Sequence, residues 1–173
     1  MSFSMLHNLL NIFAIEAAAF TGREIGILQS LREVPGFLAF TAVLILLVLR
    51  EQVFALLAVA VLGIGVALTG FFPSEYGLYF TTVVMSIGFH YFYTIQQSLT
   101  LQWIEKERTP EVMGILSSSS SMAALAAFAL VWIGIEIFDA GFKTLYLVVG
   151  GTAVLITLFA VFMFPAFPHK VPQ

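Results

Sequence analysis

The chain has 173 residues, of which 60% are hydrophobic and only 10% are Asp, Glu, Lys or Arg. Globular domains have roughly 45–50% apolar and about 25% charged residues, so this composition excludes an ordinary soluble fold. The formal net charge of −3 is spread too thinly for a nucleic-acid surface. Because the chain has no Cys, its composition also excludes disulfides, thiolate metal sites and Cys nucleophiles.

Long uncharged segments predict an all-α, polytopic membrane protein. No charged side chain occurs in 53–74, 76–104, 112–135 or 144–168. Each run reaches the roughly 20 residues that a helix needs to cross the hydrocarbon core. Continuous apolar runs favour helices over the alternating strands of a β-barrel. With two weaker segments near the N-terminus, we predict a single bundle over residues 1–173 with six transmembrane helices, at about 2–20, 25–49, 53–72, 76–104, 111–136 and 143–166.

Basic residues in the loops predict the orientation, because Lys and Arg are enriched in cytoplasmic loops. The face with both termini and the second and fourth loops has four such residues, and the opposite face has two: Arg50, Lys106, Arg108 and Lys170 against Arg23 and Lys143. We therefore expect both termini to be cytoplasmic.

Polar residues follow one face of the fourth predicted span. They recur at three- and four-residue steps, which places them on one side of a helix: Thr82, Ser86, His90, Tyr93, Thr94, Gln97 and Thr100. Such a stripe is either an interhelical hydrogen-bond seam or the wall of a polar cavity, and both alternatives stay open. His90 is a candidate for proton coupling because its unperturbed pKa lies near neutrality, although a lone His is more often a structural donor.

The second predicted span contains two charged residues and a proline. Pro35 has no N–H for the carbonyl of Leu31, so that carbonyl is open to another donor. Arg32 and Glu33 are adjacent and do not face each other directly on a helix, so we expect each to have a partner on another helix. For Arg32 that partner is an anionic substrate or an acidic side chain, unless Arg32 only reaches out to the membrane surface. Glu16 in the first span is a candidate acidic partner and a second proton-coupling candidate, or it turns outward to the membrane surface.

Small residues predict close helix packing in two other spans. Five consecutive serines at 117–121 make the fifth predicted span slim nearly all round, so we expect that helix to lie centrally in the bundle. In the third span, Gly63 and Ala67 have the spacing typical of close helix pairs.

Catalytic motifs are absent from the sequence. It has no Gly-x-Ser-x-Gly elbow, no His-Glu-x-x-His and no phosphate-binding loop. We therefore expect no enzymatic activity, no metal site and no cofactor.

Three stretches are similar to the amino-terminal half of uncharacterised bacterial transporters of the major facilitator superfamily. They are TGREIGILQSLREVPGFLAF at 21–40, SIGFHYF at 86–92 and QSLTLQW at 97–103. The superfamily's loop signature between spans two and three and the proline-containing glycine motif of drug antiporters are absent. The resemblance implies half of a major facilitator superfamily fold in the bacterial inner (plasma) membrane. Because members have two such halves, it also implies a second six-helix half or a homodimer partner.

We therefore expect half of a secondary active transporter that moves an unknown small solute by alternating access. The side chains expected to line its pathway are Arg32, Glu33, His90, Tyr93, Thr94 and Gln97, and the proton-coupling candidates are Glu16 and His90. Its expected partners are the lipid bilayer, the solute and the second half, with no nucleic acid. The alternative is a non-transporting membrane scaffold or assembly subunit, in which the polar stripe only joins helices.

Overall fold

The computed structural model describes residues 3–163, with side chains from residue 7 onward. This part of the chain has no strand, and its helices are α1 Phe3–Ala18, α2 Gly22–Phe37, a 3-10 helix Leu38–Thr41, α3 Ala42–Leu46, α4 Glu51–Thr69, α5 Glu75–Trp103, α6 Thr109–Glu136 and α7 Phe142–Met163. The predicted all-α class is thus confirmed.

Four helical segments of the described part are long and apolar enough to cross a membrane: Gly22–Leu46, Glu51–Thr69, Thr109–Glu136 and Phe142–Met163. They support the prediction of a membrane protein with transmembrane helices. With 16 residues, α1 is shorter. Although α5 has 29 residues, roughly 43 Å of helix, its polar stripe lowers its hydropathy and it is not among the four.

The second span is interrupted after its middle. Pro35 lies inside α2, and the helix tightens into the 3-10 segment 38–41 before α3 begins. The Thr41 hydroxyl lies 2.8 Å from the Leu38 carbonyl oxygen, to which it donates, and 2.5 Å from the Tyr91 hydroxyl of α5. Because Tyr91 also packs on Phe54 of α4, with ring centroids 5.5 Å apart, the interruption is fixed against two neighbouring helices.

Close backbone approaches place α4 between α5 and α7. A Cβ on Gly63 would lie 2.9 Å from the Gly150 carbonyl oxygen of α7. On the other face, a Cβ on Gly65 would lie 2.8 Å from the Met85 nitrogen of α5. Since real Cβ atoms do not approach other heavy atoms so closely, only glycine fits at these positions without a shift of the helices. The close packing predicted for Gly63 is confirmed.

The main core cluster joins α1 to the other helices. Phe13 is 3% exposed, and its ring centroid lies 5.2 Å from those of both Phe142 and Tyr146 of α7. The buried members of this cluster are Leu9, Leu10, Phe13, Ala14, Phe20, Leu28, Val66, Leu78, Met85 and Tyr146. Tyr146 is completely buried, and its hydroxyl has no hydrogen-bond partner among the described residues.

Within residues 3–163, two helices are followed by a left-handed residue that is not glycine. Ala19 has φ 53° after α1, and Asp139 has φ 49° after α6. The next N–H in each case bonds six residues back, from Phe20 to the Ala14 oxygen at 3.0 Å and from Ala140 to the Gly134 oxygen at 2.9 Å. A left-handed residue after a helix is usually glycine, which has no Cβ to clash with the backbone.

The expectation that the serine-rich helix lies centrally is wrong for the described chain. In α6 the serines are exposed and Ala124 is its only buried residue. A reason is visible at Ser121, whose hydroxyl donates to the Ser117 carbonyl oxygen of the same helix at 3.1 Å. A serine hydroxyl that bonds to a carbonyl of its own helix needs no hydrogen-bond partner on another helix. Small side chains therefore allow close helix packing but do not cause it.

Candidate functional site

Arg32 is the centre of a polar cluster between α1, α2 and α5. Its Nε and NH2 groups donate to Glu33 Oε1 at 3.0 and 2.8 Å, and its NH1 group is in contact with Nδ1 of His7 on α1. The expectation that the two adjacent charges do not pair with each other is therefore wrong. The Arg32 side chain is long enough to turn back to Glu33 and still reach His7 on another helix.

The cluster continues along α1 through neutral amides. Nδ2 of Asn11 lies 3.2 Å from Nε2 of His7, one turn earlier, and Gln29 donates from Nε2 to the Asn11 oxygen at 2.9 Å. The other amide atom of Gln29 is buried without a partner among the described residues.

From α5, Ser86 and His90 complete the cluster. The buried Ser86 hydroxyl donates to the Arg32 carbonyl oxygen, one residue beyond the carbonyl that Pro35 was expected to leave open. The half-buried His90 ring lies against Gly36, where a Cβ would be 2.7 Å from its Cε1 atom. Gly36, directly after Pro35 in α2, therefore leaves room for the imidazole ring of His90.

The polar stripe of α5 divides into two parts. Ser86 forms an interhelical bond, whereas the more C-terminal Tyr93 and Thr94 are exposed and Gln97 is half-buried. Thr94 donates to the His90 carbonyl oxygen of its own helix at 2.9 Å. Ser86 is thus part of a seam between helices, whereas Tyr93 and Thr94 are exposed, and Thr100 at the end of the stripe is buried again.

The structure brings together Arg32, Glu33 and His90, and it leaves Glu16 outside this cluster. Glu16 is exposed and lies nine residues beyond His7, roughly 13 Å along α1. The acidic partner of Arg32 is therefore Glu33 rather than Glu16. His7 was not among the predicted site residues, although its spacing to Asn11 on one helix face indicates that α1 has a polar side.

A second polar group joins the start of α4 to the end of α5. Glu51 Oε1 accepts from Gln102 Nε2 at 2.6 Å and from the Ser98 hydroxyl at 3.3 Å. Glu51 also lies in the first turn of α4, where a carboxylate is favoured by the helix dipole. These contacts hold two helix ends together and offer no reactive group.

Metal chemistry has no support in residues 3–163, where no three His, Asp or Glu side chains are placed to hold an ion. The cluster can bind and orient a polar or charged group within otherwise apolar helices. No protein-family model, no curated protein and no solved structure matches this chain, so its function has to be inferred from the site itself.

Proposed function

We propose that the chain is half of a secondary active transporter, and that it supplies one wall of a pathway for a small solute. The observation that carries this proposal is the cluster of Arg32, Glu33 and His90 on apolar helices, continued by the exposed Tyr93 and Thr94. Charged and polar groups at such positions are costly against lipid, and in membrane proteins they usually face a water-filled cavity or a partner. The six-span count, the half-superfamily fold and the inner-membrane location with cytoplasmic termini belong to the same proposal.

A second six-helix unit, either another copy or a related chain, completes this pathway in the proposal. The exposed carboxylate of Glu33, the Tyr93 ring and the serines of α6 would otherwise contact hydrocarbon. Association removes that exposure. Mass photometry in lipid nanodiscs is expected to show a dimer or a larger complex, and a stable monodisperse monomer would contradict this part of the proposal.

Solvent access to the exposed part of the stripe tests the transport function. The chain has no Cys, so each single-Cys variant can be made without first replacing native cysteines. Tyr93→Cys and Thr94→Cys are expected to react with a small charged thiol reagent in spheroplasts. Ile156→Cys, at an exposed apolar position of α7, is the matched control and is expected to stay unmodified. If all three variants are inert, no aqueous pathway follows this face.

The scaffold alternative has one observation in its favour. The bond from Ser86 to the Arg32 carbonyl oxygen shows that part of the stripe joins helices, as a scaffold requires. The two functions differ at Tyr93 and Thr94, because a scaffold needs no water at those side chains. The same labelling experiment therefore separates them.

A further inference from the structure

The ion pair of Arg32 and Glu33 is asymmetric in its exposure. The Arg32 side chain is 18% exposed and the Glu33 side chain is 60% exposed. Each guanidinium nitrogen has a partner within the chain, since Nε and NH2 donate to Glu33 and NH1 contacts His7. A solute that approaches the pair therefore meets the carboxylate first. The accessible end of the pair is negative.

Exposed aromatic rings lie on both helices within about two turns of this carboxylate. Phe37 lies one turn after Glu33 on α2, is 82% exposed, and makes an edge contact with Phe40 at 6.5 Å. On α5, the exposed Tyr93 stacks on Phe89 at 6.1 Å. The contact of His90 with Gly36 brings the two helices together at this level, since Phe37 follows Gly36 and Tyr93 lies one turn after His90.

The charge of the solute follows from these two features. The faces of aromatic rings carry negative potential and attract cations. An anion would gain nothing from the rings, and it would have to displace Glu33 from Arg32 and leave a carboxylate without its partner. A cation meets an exposed carboxylate and ring faces, and the ion pair stays intact.

We propose that Glu33, Phe37 and Tyr93 form a binding site for a small organic cation, with an ammonium group at the carboxylate and an apolar body against the rings. This inference rests on the proposed transport function and names the class of its solute. Glu33 supplies the charge, the rings supply cation–π and apolar contact, and Arg32 positions the carboxylate.

Three probes of matched chemistry test the assignment on the full chain in lipid nanodiscs. They are benzyltrimethylammonium, the ring-free cation tetramethylammonium and the aromatic anion phenylacetate. Saturation-transfer NMR with empty nanodiscs as background is expected to show saturable binding of the aromatic cation, about tenfold tighter than phenylacetate and about threefold tighter than tetramethylammonium.

Variants locate the binding to this site. Glu33→Gln is expected to weaken benzyltrimethylammonium binding about tenfold, since it removes the charge but keeps the shape. Phe37→Leu leaves the ion pair intact and is expected to weaken binding about two- to fivefold. It tests the site even if Glu33→Gln fails to fold. Phe159→Leu, an exposed ring on α7, is the matched control and is expected to bind as the wild type does.

Tighter binding of phenylacetate, or cation binding that is indifferent to both Glu33→Gln and Phe37→Leu, would overturn the cation assignment. If Tyr93→Cys and Thr94→Cys are still modified in that case, the transport proposal stands with a different solute. If these positions are inert, the transport proposal itself fails. The two failures are thereby distinguishable.

Discussion

The glycine pair at 150–151 offers a test of the packing between α4 and α7. A Cβ on Gly150 would lie 2.8 Å from the Ala67 Cα and closer still to the Ala67 nitrogen and the Gly63 carbonyl oxygen. Carbon atoms pack favourably at about 3.5–4.0 Å, so the helices would have to separate or rotate. Gly151 is the matched control, because a Cβ there would meet no atom within 4 Å.

The expected effect is the difference between Gly150→Ala and Gly151→Ala. Both changes gain helix propensity, about 1 kcal/mol in a helix interior. Only the change at Gly150 inserts a methyl group into a filled interface, which typically costs about 1–3 kcal/mol. The propensity gain cancels in the comparison, so this packing cost is the expected difference in free energy of unfolding.

Thermal unfolding in detergent or nanodiscs measures this difference. For a chain of this length, each kcal/mol corresponds to about 2–4 °C, so the Tm of Gly150→Ala is expected to be about 2–12 °C below that of Gly151→Ala. Equal midpoints, or a higher midpoint for Gly150→Ala, would refute the close approach of α4 and α7.

Four further substitutions, at three positions, test other features of the fold. Ala19→Gly is expected to raise the free energy of unfolding by about 1 kcal/mol, because φ 53° is strained for Ala, and an unchanged or lower Tm would contradict that backbone conformation. Tyr146→Phe is expected to leave the Tm unchanged or raise it, since it removes a buried hydroxyl without a partner, and a clear loss would reveal a bond that the structure lacks. Arg32→Gln is expected to lower the free energy of unfolding by about 1–3 kcal/mol. This lies between the costs of breaking an exposed and a buried ion pair, because Glu33 is 60% exposed. The Tm of Arg32→Lys is expected to lie between those of Arg32→Gln and the wild type, because Lys has no planar guanidinium to bridge Glu33 and His7. A wild-type Tm for both variants would show that the ion pair does not contribute to stability.

The positions of the helices were predictable from the sequence because lipid imposes long, uncharged runs. The segment 111–136 matches the helix Thr109–Glu136, and 143–166 overlaps Phe142–Met163 to within a few residues. The interruption at 38–41 was not predictable in position. Pro35 predicts a break in the helix. The position where the helix resumes depends on the bond between Thr41 and Tyr91, which are far apart in the chain.

The site was predictable in its residue types and only partly in its pairing. Arg32 and His90 are conspicuous because they are polar within apolar runs, and the structure places them in one cluster. The hydrogen-bond partners of Arg32 were harder to predict. Helical spacing indicates which residues share a face, but it does not indicate how far a long side chain bends. Arg32 bends enough to reach both Glu33 and His7. The exposed position of α6 was missed because small residues allow burial and do not require it.

The position of α4 between α5 and α7 has a consequence for how the protein is made. Only five residues separate α4 from its partner α5, whereas α7 emerges from the ribosome roughly 70 residues later, about 4–14 s at common rates of synthesis. During that interval the face with Gly63 lacks the helix that covers it in the complete fold, and α6 is synthesised before that helix. In a nascent chain halted before Phe142, the glycine-lined face of α4 therefore stays open to lipid or to other helices.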